Sequence, residues 1–190
     1  MTDYVDTSRL ICNYLCGDEH AIEELIHLYE NGVFHLALSI VDDPAEADDV
    51  AQESLIAAMS ALKSYQDHGS FKTWVFTITL NLSRSRLRKR NARERLKRIL
   101  GNISLIQSQR QTTPEELTVQ NEKKSMLWTA LNNLKEKHRL PILLRYYHDL
   151  STTEIAAILD VSEGTVFSRL HTGREKLRRE LEKHLYFDGE

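Results

Sequence analysis

The chain has 190 residues, 41% hydrophobic and 28% charged, with seven glycines and three prolines: an ordinary globular mix, long enough for one large domain or two small ones. No apolar run approaches the roughly 20 residues a membrane-spanning helix needs, and Met1 to Asp6 lacks the basic start and apolar core of a signal peptide, so a cytoplasmic location is expected. The net charge of −3 conceals segregation: residues 1–60 carry thirteen acids against Arg9 alone, and residues 84–98 carry nine bases against Glu94 alone.

The first helical pattern covers Ser8 to Leu15 and stops at Gly17. Cys12 and Cys16, four residues apart, share a helix face with His20 next along it. They are either three ligands of a zinc or redox site or small residues on a buried face. Two cysteines cannot build a disulfide framework and no fourth ligand is evident, so packing is the favoured reading and no metal or cofactor is expected. Asp18 is placed to cap a second helix with Ala21, Ile22, Leu25 and Leu28 on its apolar side, and Val33 to Val41 continues it as a buried stretch.

Asp43-Pro44-Ala45-Glu46 is a clear start signal: a cap, a proline at the first helical position, and a carboxylate able to close a capping box. Ala47, Ala51, Leu55, Ala58 and Leu62 form the core stripe of this helix. Asp49, Gln52, Glu53 and Ile56 fall on another face, which is either plain amphipathic surface or a docking face for a basic partner helix.

Gly69-Ser70 begins the next helix, with Phe71, Val75, Ile78 and Leu82 as its core side. Beside that stripe run Trp74, Thr77, Asn81, Arg84 and Arg88. An aromatic ring, two small polar groups and two arginines in line suit single-stranded nucleic acid: bases stack, polar groups bond base edges, guanidinium groups hold phosphates. The periodicity weakens from Asn91 to Thr113, which reads as an interdomain linker. Thr113-Pro114-Glu115-Glu116 then opens a helix carrying Leu127, Ala130, Leu131 and Leu134 inward. Pro141 belongs in a first turn, so a further helix is expected to start between His138 and Leu140.

Thr152 to Arg179 has the pattern of a helix-turn-helix. Ile155 and Leu159 face inward, Ala156 permits a close crossing, Asp160-Val161-Ser162 makes the turn, and Ser162 caps a longer helix. That helix buries Val166, Leu170, Gly173, Leu177 and Leu181. Its outer face presents Glu163, Thr165, Ser168, Arg169 and Thr172, groups able to reach base edges and phosphates in a major groove.

Both halves resemble the extracytoplasmic-function sigma factors. Residues 43–54 resemble the segment by which that family binds the clamp helices of the polymerase β′ subunit. Residues 71–82 with the arginine run resemble the part that melts and reads the minus-ten element, and residues 147–181 the part that reads the minus-thirty-five element. The resemblance implies an all-α fold of two small helical domains: residues 1–91, a flexible linker 92–113 threading toward the polymerase active centre, and a helix-turn-helix domain 114–190. Asp48, Asp49, Gln52 and Glu53 are then expected to dock on polymerase. Trp74, Thr77, Asn81, Arg84 and Arg88 would hold the unpaired strand, and Ser162, Glu163, Thr165, Arg169 and Arg174 would read the upstream duplex. Core RNA polymerase, through its β′ clamp helices and β flap, promoter DNA and an anti-sigma protein are the implied partners, with no membrane contact and no catalytic chemistry. The chain departs from the family pattern at Asp160, where Gly is usual, at Phe167, Thr172 and Glu175, where basic residues are usual, and at Pro141. Two rivals remain: a stand-alone helix-turn-helix regulator, which leaves the acidic face and the Trp-Asn-Arg stripe unused, and a metal or thiol sensor built on Cys12, Cys16 and His20.

Overall fold

The computed structural model describes residues 3–65, 70–99 and 119–187. Among these every regular element is helical: α1 (Asp3–Leu15), α2 (His20–Val41), α3 (Pro44–Ser60), a 3-10 turn (Leu62–Ser64), α4 (Phe71–Ile99), α5 (Val119–Asn132), α6 (Glu136–Tyr146), α7 (Thr152–Leu159) and α8 (Glu163–Phe187).

 α2, α3 and α4 pack on one another with α1 laid across α2, while α8 packs on α5, α6 and α7. The two groups also meet, because α7 lies against α4 and α6 touches α2. One hydrophobic cluster consequently runs from Leu10 through Leu36, Phe76 and Leu144 to Leu170.

Local chemistry sets the helix boundaries. Gly17 ends the first turn region with φ of 101°, a conformation only glycine adopts freely. Asp18 stands one residue before the position expected of a cap: Glu19 is the N-cap of α2 and makes no side-chain cap bond, while Asp18 Oδ1 accepts from the His20 N–H at 3.1 Å. Asp43 caps α3 by accepting from the Glu46 N–H at 2.8 Å, but the Glu46 carboxylate pairs with Arg90 at 2.9 Å, so the expected reciprocal box is only half made there. The complete capping box lies at α7, between Ser151 and Glu154. Asp160 ends α7 in the left-handed region with φ of 52°, as a short polar side chain tolerates.

The inward stripe of α3 stands as expected, with Ala47, Ala51, Leu55, Ala58 and Leu62 buried; that of α8 holds at Val166, Leu170 and Gly173, while Leu177 and Leu181 further along are only half-buried. Several expectations fail. Leu28 and Leu127 are exposed; Tyr29 is buried next to the first, and of the expected inward residues of α5 only Ala130, Leu131 and Leu134 are buried. Cys12 and Cys16 are both exposed, so they are not core-packing residues. No group of three or more His, Cys, Asp or Glu is placed to hold a metal among the described residues. Pro141 sits inside α6, which starts earlier than expected, at Glu136; the N–H that proline lacks leaves the carbonyl of Lys137 without its helical donor, at an exposed residue where water can serve. α4 continues through Ile99, eight residues past Asn91; the rest of the expected linker, residues 100–113, and the start signal at Thr113 lie outside the described residues.

Gly173 marks a tight crossing of α8 over α6. A Cβ there would lie 3.0 Å from the backbone oxygen of His138 and 2.9 Å from Ile142 Cδ1. The isoleucine tip can turn away, but the carbonyl cannot without shifting α6. Gly173→Ala is therefore expected to destabilise the fold by about 1–2 kcal/mol, overpacking outweighing the roughly 1 kcal/mol gain in helix propensity. A thermal melt with an unchanged or raised Tm would contradict this.

Candidate nucleic-acid interface

The acidic face of α3 is open, with Asp48, Asp49, Gln52 and Glu53 exposed around Ile56, which is 66% exposed. Gln52 donates to Asp48 at 2.9 Å. Asp49 and Glu53 share one partner, Arg86 of α4, at 3.5 and 2.8 Å. The charge segregation along the sequence is thus partly undone in space: acids of α3 and bases of α4 line a common 410 Å³ cleft with Lys89, Arg90 and Arg93.

On α4 the expected stripe is assembled but unevenly free. Asn81 and Arg88 are exposed. Trp74 is half-buried, its ring 5.0 Å from that of Tyr65 and 5.5 Å from that of Phe71, so it is both an aromatic surface and part of the packing. Thr77 spends its hydroxyl proton on the carbonyl of Thr73 at 2.8 Å. Arg84 is held by Glu136 of α6, with Nε and the terminal nitrogen 2.9 and 2.8 Å from one carboxylate oxygen. At the start of the helix, Lys72 donates to the carbonyl of His148 at 2.8 Å and Ser70 to Glu154 at 3.1 Å.

Those contacts explain two shifted ionisations. Burial opposes the charge on Glu154, yet the backbone and hydroxyl donors of Ser151, the Ser70 hydroxyl and the Lys72 amine together hold its carboxyl below its ordinary value. His148 is wedged against the Phe76 ring at 4.9 Å and is lowered to about 4, first by burial, then by the Lys72 and His35 charges.

In the helix-turn-helix, most residues expected to read duplex are already engaged. Ser162 caps α8, accepting from the Thr165 N–H at 3.2 Å and sharing a 2.9 Å hydrogen bond with its hydroxyl. Glu163 accepts from Thr153 at 3.1 Å, Arg169 is half-buried, and Arg174 donates to the Tyr146 hydroxyl at 3.3 Å. The face opposite Val166, Leu170 and Gly173 presents Gly164, Phe167, Ser168 and His171, all exposed. Phe167 is 60% exposed, a large apolar ring on the open side of the helix. The spacing of 164, 167, 168 and 171 was available in the sequence, but weighting charged and hydroxyl groups passed over the glycine, the ring and the imidazole.

The family model described as sigma-70 region 2 matches residues 25–93, and the one described as sigma-70, region 4 matches residues 124–177. The chain is 31% identical over 170 residues to the ECF RNA polymerase sigma factor SigW of Bacillus subtilis, covering 87% of this chain and 91% of that relative. It is 29% identical over 186 residues to the ECF RNA polymerase sigma-E factor of Escherichia coli, covering 93% and 95%. CnrH, solved in complex with the cytosolic domain of CnrY, shares the fold with a TM-score of 0.66 at 21% identity, over 96% of this chain and 99% of that one. The sigma factor RpoE of Bartonella quintana, solved in complex with the anti-sigma factor NepR, gives 0.66 at 25% identity over 84% and 96%. With both regions matched in order and a 31% identical relative covered over 91% of its length, the chain belongs to the extracytoplasmic-function (ECF) family of RNA polymerase sigma factors.

Proposed function

We propose a division of labour among three faces of this sigma factor, acting in the cytoplasm and making or breaking no covalent bond. Asp48, Asp49, Gln52 and Glu53, with Ile56 as apolar anchor, dock on the clamp helices of core RNA polymerase. Trp74, Thr77, Asn81, Arg84 and Arg88 hold the unpaired minus-ten strand. The first turns of α8 read the minus-thirty-five duplex. An anti-sigma protein of the kind seen on RpoE of Bartonella quintana is a further partner. The observation that carries this reading is that one chain presents, in order, an exposed acidic helix, a helix with an aromatic and arginine stripe, and a capped helix-turn-helix. Run-off transcription from a genomic promoter library, with bacterial core polymerase and with or without the protein, tests it. Discrete new transcripts sharing two upstream elements are expected; operator binding by the protein alone with no transcripts would overturn it.

Within the duplex-reading face we assign Phe167 an apolar contact to a thymine 5-methyl group, the contact an exposed ring in a major groove can make. Burying one methyl is worth roughly 0.8 kcal/mol, or about four-fold in affinity. Replacing single thymines of the upstream element by deoxyuracil should therefore weaken holoenzyme binding about four-fold at one position. Phe167→Ala should abolish the difference; equal sensitivity in both proteins, or none in the wild type, would remove the assignment.

A further inference from the structure

Resting on the reading of α8 as the duplex-reading helix, we propose that His138 is a positioning residue for that helix. Neutral, its ring accepts a hydrogen bond from the Lys176 amine and seats α8 on α6. A proton on the ring releases that hold, so recognition of the minus-thirty-five duplex weakens in acid. The ring lies in the seam between the two helices, the residue 6% exposed, with Nε2 3.3 Å from Lys176 Nζ. Its other nitrogen, Nδ1, is buried without a hydrogen-bond partner. The backbones cross tightly beside it, where a Cβ on Gly173 would lie 3.0 Å from the His138 carbonyl oxygen. Lys176, three residues beyond Gly173, brings its amine back to the same histidine.

The chemistry of the pair selects one protonation state. An ammonium has three donors and no acceptor, so Nε2 faces it with a lone pair and the neutral ring carries its hydrogen on Nδ1. A second proton would set an N–H against the amine, donor facing donor and cation facing cation. The charged groups acting on the ring are Lys176 and Arg169 of α8 and Lys137 of α6 itself, all cations. The helices α7 and α2, which also lie against α6, supply no charge to offset them. Burial first, and then Lys176, hold the pKa of the ring below its usual 6.5, with only the Arg169 backbone working the other way.

A histidine whose pKa is lower in the folded chain than in the unfolded one costs stability in acid. The hold of His138 is therefore complete above pH 6.5 and is lost as pH falls from there toward the folded value. One pH unit below 6.5 the loss reaches at most about ten-fold in the equilibrium. The backbones meet at Gly173, so the ring has little room to swing away and the repulsion falls on the seat of α8. That seat sets how the open side of α8, with Gly164, Phe167, Ser168 and His171, meets duplex. Recognition groups have to be held within roughly 0.5 Å of their working geometry, so a loosened seat is felt at the bases.

The test uses the full chain, alone and in holoenzyme. His138→Gln keeps an acceptor for Lys176 but cannot titrate. Between pH 7.5 and 5.5 the Tm of the wild type should fall roughly 3–5 °C further than that of His138→Gln. His35 and His148 titrate in both proteins, so the difference belongs to His138. His20→Gln, on the exposed surface of α2, should keep the wild-type profile. Nitrogen NMR of the wild-type ring should place its hydrogen on Nδ1, and Lys176→Gln should move the titration of that ring up toward 6.5. Over the same pH range, holoenzyme affinity for the minus-thirty-five duplex should fall up to about ten-fold further in the wild type than in His138→Gln. Equal melt profiles for the two proteins, or a hydrogen on Nε2 at neutral pH, would overturn the role of His138. If His138→Gln does not fold, the Lys176→Gln titration decides, and an unmoved titration overturns it too. Holoenzyme that fails to bind the minus-thirty-five duplex at pH 7.5 would instead remove the reading of α8, leaving the melt and the titration to stand by themselves.

Discussion

Asp49→Arg combined with Glu53→Arg is expected to weaken association with core polymerase by at least about a hundred-fold while leaving the helical fold intact. The two carboxylates flank Ile56 on an exposed face and are 63% and 56% exposed, so each is available to a basic partner helix. Placing like charges across an interface costs several kcal/mol, and about 2.7 kcal/mol already gives a hundred-fold. The price within the chain is small, because the pairs with Arg86 are exposed and such pairs contribute about 0–1 kcal/mol. A gel-shift or fluorescence titration with core enzyme, read beside a circular dichroism melt, checks both halves of the expectation. Retained affinity with an unchanged melt would dissociate the acidic face from polymerase docking. Arg86→Ala separates the two roles that the cleft joins: it removes the internal partner of both acids, so polymerase affinity should hold or rise while promoter affinity falls.

How much of this was legible beforehand depends on whether the cause was local. The cap at Asp43, the turn at Asp160 and the inward stripe of α3 follow from side chains acting within a few residues of themselves, and each stands where the sequence puts it. Gly173 was readable as a member of the inward stripe of α8, but the close approach of α6 there was not, since it depends on which helix becomes its neighbour. What the sequence did not yield are effects of distant chain. The periodicity of α4 gave one core side, Phe71, Val75, Ile78 and Leu82, yet Phe76 and Leu80 are more deeply buried than Ile78 or Leu82. A helix covered on a second flank buries residues that a single-sided amphipathic pattern assigns to solvent, and His148, seventy-two residues away in the chain, supplies part of that cover.

The candidate site divides the same way. The stripe from Trp74 to Arg88 is a property of one helix and was visible at once. That Arg84 is engaged by Glu136, and that Asp49 and Glu53 share Arg86, depends on which helices become neighbours. Charge counted along the sequence predicted separate acidic and basic surfaces; charge in space forms a mixed cleft. In the helix-turn-helix, Ser162 caps α8 as its position in the turn predicts, so the hydroxyl also expected to read duplex is already engaged with the orphan amide of Thr165.

Asn81→Ala should lower the rate of open-complex formation roughly ten- to a hundred-fold, about 1.4–2.7 kcal/mol, with polymerase affinity unchanged. The residue is exposed in the middle of the stripe, between the aromatic end at Trp74 and the arginines at 84 and 88, and its amide offers both a donor and an acceptor to an extruded base edge. Its removal costs the fold little, which makes it a cleaner probe than Trp74. Trp74 packs against Tyr65 and Phe71, so Trp74→Ala should lose both strand stacking and stability, the melt falling together with promoter opening. The comparison that separates the steps is a promoter with a pre-opened minus-ten bubble. If Asn81 acts by trapping the base as the duplex yields, the defect on duplex promoter should shrink on the bubble, where unpairing is already complete. If it only grips the strand afterwards, the defect should be the same on both templates. No defect on either would remove Asn81 from the site and leave the arginines and the ring to hold the strand alone.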